Sequence, residues 1–314
     1  MNTRFAFAVA ACLAAPAAHA CSACGCLLST DWASQGFRAG GGWSLDLRQD
    51  FAPQTQLRRG SGSVDRNAIA LPADEEIQRT TLSRTTTLAL DYAQGDWGVT
   101  LKLPYLLRTH DTVAEGDTGL SFSRSSSLGD MRITARYAGL APNGALGLTF
   151  GVKLPTGRHD VAFSSGPQQG AQLDRGLQPG SGTTDALLGA YHFGAFSDTL
   201  GYFVQAEVQW PLNSSSGFKP ARQTSVGAGV RYSASEVVQP QVQLNLRHET
   251  RESGTAADVA NSGFTALFAS PGVTWQLSPR VALYGFVQVP LAQRVNGLQL
   301  MPRYNLTVGV HADL

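Results

Sequence analysis

Charge is scarce in this sequence, lysine scarcer still, and long apolar runs are missing after the first twenty residues. Only 15% of the 314 residues are Asp, Glu, Lys or Arg, too few for a coiled coil or a long-helix protein built from Glu, Lys, Leu and Ala. Basic and acidic residues number 24 and 23, so no global field draws the chain to nucleic acid or an anionic membrane surface. Lysine is confined to Lys102, Lys153 and Lys219. The other cations are arginine, the side chain suited to fixed, bidentate or crowded positions. No later stretch approaches the roughly 18 to 20 consecutive apolar residues of a transmembrane helix, which excludes a helical membrane protein. Glycine, in contrast, is abundant at 34 residues.

The amino terminus reads as a cleaved secretory signal peptide over residues 1-20. Arg4 gives the positive n-region, Phe5 to Ala18 the apolar run, and Ala18-His19-Ala20 the small-x-small cleavage site. The mature chain then starts at Cys21. A lipoprotein with Cys21 acylated is the alternative, although Ala18 and His19 stand where a lipobox prefers Leu and a small residue.

From Trp43 onward the chain alternates apolar and polar residues in runs of about ten, the period-2 signature of strands with two unlike faces. The last run puts Tyr304, Leu306, Val308, Val310, Ala312 and Leu314 on one face and Arg303, Asn305, Thr307, Gly309, His311 and Asp313 on the other. Such runs near 41-51, 79-92, 97-109, 128-138, 145-156, 183-194, 199-210, 223-234, 238-249, 264-277, 280-291 and 303-314 predict about 12 strands. Short links (93-96, 139-144, 195-198, 235-237, 278-279) alternate with long ones (52-78, 110-127, 157-182, 211-222, 250-263, 292-302). An even strand number with alternating short turns and long loops is the pattern of an outer-membrane barrel. Tyr92, Trp97, Tyr137, Tyr232 and Trp275 fall at the short-turn ends, and Tyr105, Trp210 and Tyr304 at the other, as two interfacial girdles. A soluble sandwich or propeller also alternates, but it leaves the signal peptide, strand length, loop alternation and girdles unexplained. The expected fold is therefore all-β: a transmembrane antiparallel up-and-down β-barrel over residues 37-314, behind a Cys-containing periplasmic segment, 21-36. Both termini would be periplasmic. Residues 27-42 are too short for an independent plug domain, yet long enough to fold into the lumen.

Twelve strands enclose more space than side chains can fill, so the face turned from lipid lines a solute pathway. That face carries Arg48, Lys102, Arg108, Arg132, Arg136, Lys153, Arg231, Arg247 and Arg303 against Asp46, Asp91, Glu207, Glu249 and Asp313. The excess of cations would concentrate anions, giving weak anion preference, unless the arginines pair with lumenal or loop carboxylates such as Asp74, Glu75 and Glu76. Enzyme chemistry is not expected. His159-Asp160 beside Ser164 and Ser165, and His110-Asp111, are neighbours of the kind polar loops contain by chance, and Gly40-Gly41-Gly42 leads into a strand rather than a phosphate-binding helix.

Cys21, Cys24 and Cys26 are the only cysteines after the signal peptide. Three close thiols suit Cu(I) or Zn(II), or a redox disulfide with one thiol left over. A structural disulfide, or a Cys24-Cys26 pair behind a lipidated Cys21, are the plainer readings. Covalent haem is excluded because Gly25 stands where His is required. A periplasmic metal or redox partner would meet such a cluster.

The segments Leu128-Gly129-Asp130-Met131-Arg132-Ile133-Thr134-Ala135-Arg136-Tyr137, Val152-Lys153-Leu154-Pro155-Thr156-Gly157 and Pro179-Gly180-Ser181-Gly182-Thr183-Thr184-Asp185 resemble the Gram-negative outer-membrane family named for the meta-pathway of phenol degradation. The likeness covers the barrel, and the motifs look structural. The resemblance implies an outer-membrane transporter, related in type to fatty-acid and aromatic-hydrocarbon channels, that passes a small solute such as an aromatic compound. Two features depart from it: the Cys-rich start followed by Thr30-Asp31-Trp32-Ala33-Ser34-Gln35-Gly36, and the terminal Leu314 where many barrels end in an aromatic. The expectation is a channel for passive movement of a small solute, with two alternatives: a metal-binding or redox-partner protein acting through the cysteines, and a closed structural barrel.

Overall fold

The computed structural model describes Leu28, residues 32–37 and residues 41–314. The signal peptide and Cys21, Cys24 and Cys26 lie outside the described residues. The strands are β1 (Gly42–Gly60), β2 (Gly62–Ser63), β3 (Ile77–Gln94), β4 (Trp97–Val113), β5 (Ser121–Leu128), β6 (Met131–Tyr137), β7 (Leu146–Leu154), β8 (Asp185–Ser197), β9 (Leu200–Pro211), β10 (Gln223–Tyr232), β11 (Val238–Glu249), β12 (Phe264–Ser278), β13 (Val281–Pro302) and β14 (Asn305–Asp313). The wall strands pair antiparallel with their neighbours, except that β5 pairs with β4 alone, and β14 pairs with β1 from Ser44↔Asp313 to Phe51↔Leu306, closing the sheet. The two-residue β2 is a hairpin on the tip of β1, and β5 and β6 both lie along β4, forming one wall position between them. The wall is thus a closed barrel of twelve staves.

Why these residues close into a barrel is plain along β11. Val242, Leu244 and Leu246 are 48%, 48% and 39% exposed on the outside, whereas Gln241, Gln243 and Asn245 are at most 3% exposed within. That is a soluble protein turned inside out. An outer surface of this kind suits hydrocarbon, and closure pairs every backbone amide that hydrocarbon would leave unsatisfied, each worth several kcal/mol. At the short-turn end Trp43 packs on Tyr92 and Trp97 on Tyr137, with ring centroids 4.8 and 4.9 Å apart, and Tyr232 and Trp275 stand exposed at the same end on other staves. Tyr105 and Tyr304 are exposed at the opposite end.

Glycine has a second use besides turns. Gly147, Gly229, Gly272 and Gly309 are the direct cross-strand partners of Tyr191, Phe203, Phe286 and Tyr284. A Cβ at any of the four would sit inside the facing ring's van der Waals shell. The rings lie flat over the bare backbone of the neighbouring strand, so the interior keeps aromatic surface without filling.

The structure differs from the sequence reading at the long-loop end. Residues 292-302, expected as a loop, continue β13, which leaves only Arg303 and Tyr304 as the turn into β14 and lets β13 pair with β1 from Gln54↔Pro302 to Gly60↔Val295. Strands β1, β3 and β4 likewise run beyond their expected ends. Apolar residues explain this extension. Leu57, Ile77, Val113, Leu298 and Leu300 form a compact core with Val64, Ile69, Leu71 and Ala73 above the lumen, and Phe264, Ala266, Phe268, Val295 and Met301 form another. The fourth stave breaks at Gly129 and Asp130, and β7 stops at Leu154, so the loop over 155-184 fills the wall above them, bridging Phe122 to Ser165.

Candidate functional site: a plugged polar lumen

Inside the barrel is a cavity of about 500 Å³, walled by Thr85, Thr87, Thr134, Thr149, Gln205, Gln209, Gln223 and Ser225 together with Tyr191, Phe218 and charged groups. A smaller chamber of about 50 Å³ lies toward the short-turn end, and Arg48, Thr87 and Lys102 border both.

Most of the expected lumenal cations are neutralised where they stand. Arg48 Nε lies 2.8 Å from Asp50, whose other oxygen accepts from Thr307. Arg132 approaches Glu207 at 3.4 Å, and Arg136 approaches Asp91 at 3.4 Å while Thr100 donates to the same carboxylate at 2.7 Å. Arg247 pairs with Glu249. For the pairs of Arg48, Arg136 and Arg247 this follows from the cost of burying an unpaired charge, whereas Arg132 and Glu207 are more than a third exposed to the cavity. Two more arginines hold other parts in place: Arg108 donates to Ser83 Oγ and the Leu177 carbonyl, and Arg231 donates to the Gln35 carbonyl while lying 3.9 Å above the Phe37 ring. Arg303 is not lumenal: it sits exposed in the β13–β14 turn, because the extension of β13 carries it above the cavity. Of the loop carboxylates, Glu75 pairs with Arg59 and Glu76 lies 3.7 Å from His110. Among the described residues Lys102 makes no ion pair or hydrogen bond, and Asp46 feels its charge only at longer range.

The three segments that carry the family resemblance converge on one knot. Lys153 Nζ lies 3.0 Å from Asp130 and 3.0 Å from Asp185, and also donates to Ser181. Asp130 accepts from the amides of Gly157 and Ser181, Asp185 accepts from Thr183 and Gln209, and Thr156 bridges Gly129 and Met131. Gly157 and Gly180 meet backbone to backbone, leaving no room for a Cβ on either. This knot fastens both ends of the loop over 155-184 at the point where β6 and β7 stop, so these motifs are structural.

The segment before the first strand, too short for a plug domain, does enter the lumen. Residues 32–37 form a turn inside the barrel, with Phe37 N donating to the Trp32 carbonyl, where the sequence reading placed a periplasmic segment. Trp32 stacks on His311 at 4.2 Å and meets Tyr284 edge-on at 5.8 Å, and Leu28 packs with Tyr284 and Phe286. Ser34 donates to Gln205, and Gln241 donates to Gln35. A Trp beside Ser, Gln and Gly, preceding a barrel rich in inward Gln, was the available signal, but alternation reports only strands.

At the long-loop end Asp174 is buried, and burial together with the nearby Glu252 and Asp258 carboxylates pushes its carboxyl well above the usual range. Arg175 beside it packs on Phe218 at 5.1 Å. His110 is fully buried against Phe163 and hydrogen-bonded to Thr81. Asp160 is held by Arg158 at 3.0 Å, and Ser164 donates to the Phe122 carbonyl, so neither forms a unit with a histidine. Among the described residues no three His, Cys, Asp or Glu side chains are arranged to hold a metal.

No family model and no curated protein sequence matches the chain. An outer-membrane channel from Pseudomonas putida F1 shares 14% identity, with a TM-score of 0.60 over 87% of this chain and 96% of that one. The Ralstonia pickettii toluene transporter TbuX gives 10% identity and a TM-score of 0.49 over 90% and 92% of the two chains. The monoaromatic hydrocarbon channel CymD gives 8% and 0.48 over 92% and 94%. At this identity the first likeness establishes a shared barrel fold.

Proposed function

We propose that this chain is an outer-membrane channel for passive movement of small solutes, with the short turns and both termini on the periplasmic side. The observation that carries the reading is the polar lumen of about 500 Å³ within a wall whose outer face is apolar. A closed structural barrel would gain nothing from such a chamber, because unfilled space contributes no packing. Further support comes from the gating elements at each end: the loops tied by the Lys153 knot on one side and the Trp32 plug on the other. The resemblance to the meta-pathway family and the mixture of Tyr191, Phe218, Thr and Arg in the lining suit a small aromatic or anionic solute.

Proteoliposomes containing the purified protein test this. Swelling in isotonic acetate should outpace that in a disaccharide, and protein-free vesicles should respond to neither. Equal rates with and without protein would overturn the reading.

A further inference from the structure

The plug does not fill the barrel evenly. On the side of β9, β10, β11 and β13 it is fastened by Ser34 to Gln205, by Gln35 to Arg231 and Gln241, and by Trp32 to Tyr284. A pocket of about 10 Å³ lies there, between Trp32, Phe37 and Tyr284. On the other side Trp32 also donates to Asp46 of β1, and beside that contact a slot of about 50 Å³ remains between Trp32 and the wall, meeting the main cavity where Arg48, Thr87 and Lys102 border both. That is room for only a few water molecules, so an ion entering must exchange part of its hydration for protein groups.

The slot offers those groups unequally. Its carboxylates are already engaged: Asp91 accepts from Thr100 and Arg136, and Asp46 accepts from Tyr284 Oη at 2.9 and 3.1 Å. The guanidinium of Arg48 is committed to Asp50, and that of Arg136 to Asp91. Lys102, half-buried at the junction, is the slot cation that makes no ion pair or hydrogen bond among the described residues. An anion arriving here meets an ammonium with donors to give, whereas a cation meets acceptors whose hydrogen bonds are taken.

We propose that solutes pass the plug through this slot, and that Lys102 is its specificity-determining residue, selecting small anions such as halide or a short carboxylate. The inference rests on the channel reading above and adds the route and the group that sets charge preference.

The test is the reversal potential of the full-length protein in planar bilayers under a KCl gradient. Wild type should favour chloride. Lys102→Glu should lower the anion-to-cation permeability ratio about tenfold, the scale of reversing a unit charge within a few ångströms of a passing ion, and Lys102→Gln should fall between. Lys219→Glu, in an exposed outer loop, should leave the ratio unchanged. Because a variant barrel can fail to assemble, Lys102→Cys is also modified in the bilayer with a negatively charged thiol reagent, against identically treated wild type. The same fall in ratio is expected. Conducting Lys102 variants with the wild-type ratio would overturn this inference while leaving the channel intact; a silent wild type would overturn both.

Discussion

Lys102 and Lys153 both face the interior, on strands separated by a single stave, and their surroundings are opposite. Lys153 is 6% exposed and held between Asp130, Asp185 and Ser181, at the point where two staves end and a long loop departs. Lys102 is half-buried and unpaired among the described residues, at the mouth of the slot beside the plug. The difference teaches how one interior serves two ends. Where the wall is interrupted, charge is fully satisfied and fixes the backbone; where the wall is continuous, hydrogen-bonded strands already supply rigidity, and a cation can be left available.

This contrast fails if the two lysines respond alike to neutralisation. Lys153→Met leaves two buried carboxylates facing each other without a counter-charge, and removing one partner of a buried pair costs about 3 to 5 kcal/mol. The variant should lose that much stability in urea unfolding from detergent micelles, or fail to reach the heat-resistant folded form on gels. A smaller effect is expected at Asp174, where burial and the neighbouring carboxylates favour the neutral acid in the folded loop. A carboxyl raised on folding contributes most below its unfolded pKa of about 4, and that contribution is lost as pH rises toward the folded value. Amide exchange of the loop over 155-184 should therefore be slower in acid than at neutral pH, after correction for intrinsic rates. Asp174→Asn, which keeps the acceptor for Gly176 N, should flatten that dependence; an unchanged profile would remove Asp174 as its cause. Lys102→Met should have the least effect on stability, within about 0.5 kcal/mol, and a large loss there would mean that this lysine too is structural.

The barrel was legible because its constraint is periodic. In β11 and β14 every second residue meets the outside, so strand number, facing and the short turns follow from alternation. The ends of the strands were less legible. Residues such as Leu298, Leu300 and Met301 pack into a core above the lumen, and apolar residues on both faces erase the period that marked the strands below. Pairing partners were hidden for another reason: Arg132 and Glu207 are 75 residues apart, and the closing geometry of the barrel, rather than local sequence, brings them together. The plug was hardest to read, since six residues with one Trp carry no period at all, and their place is set by His311, Tyr284 and Gln241 on the far side of the chain.

Single-channel conductance of the wild-type protein beside a chain lacking residues 32-37 tests most directly the claim that the lumen is a conduit narrowed by its own amino terminus. The account predicts a small but measurable conductance for the wild type and one several-fold larger for the shortened chain. Two identical conductances, or two silent proteins, would contradict it.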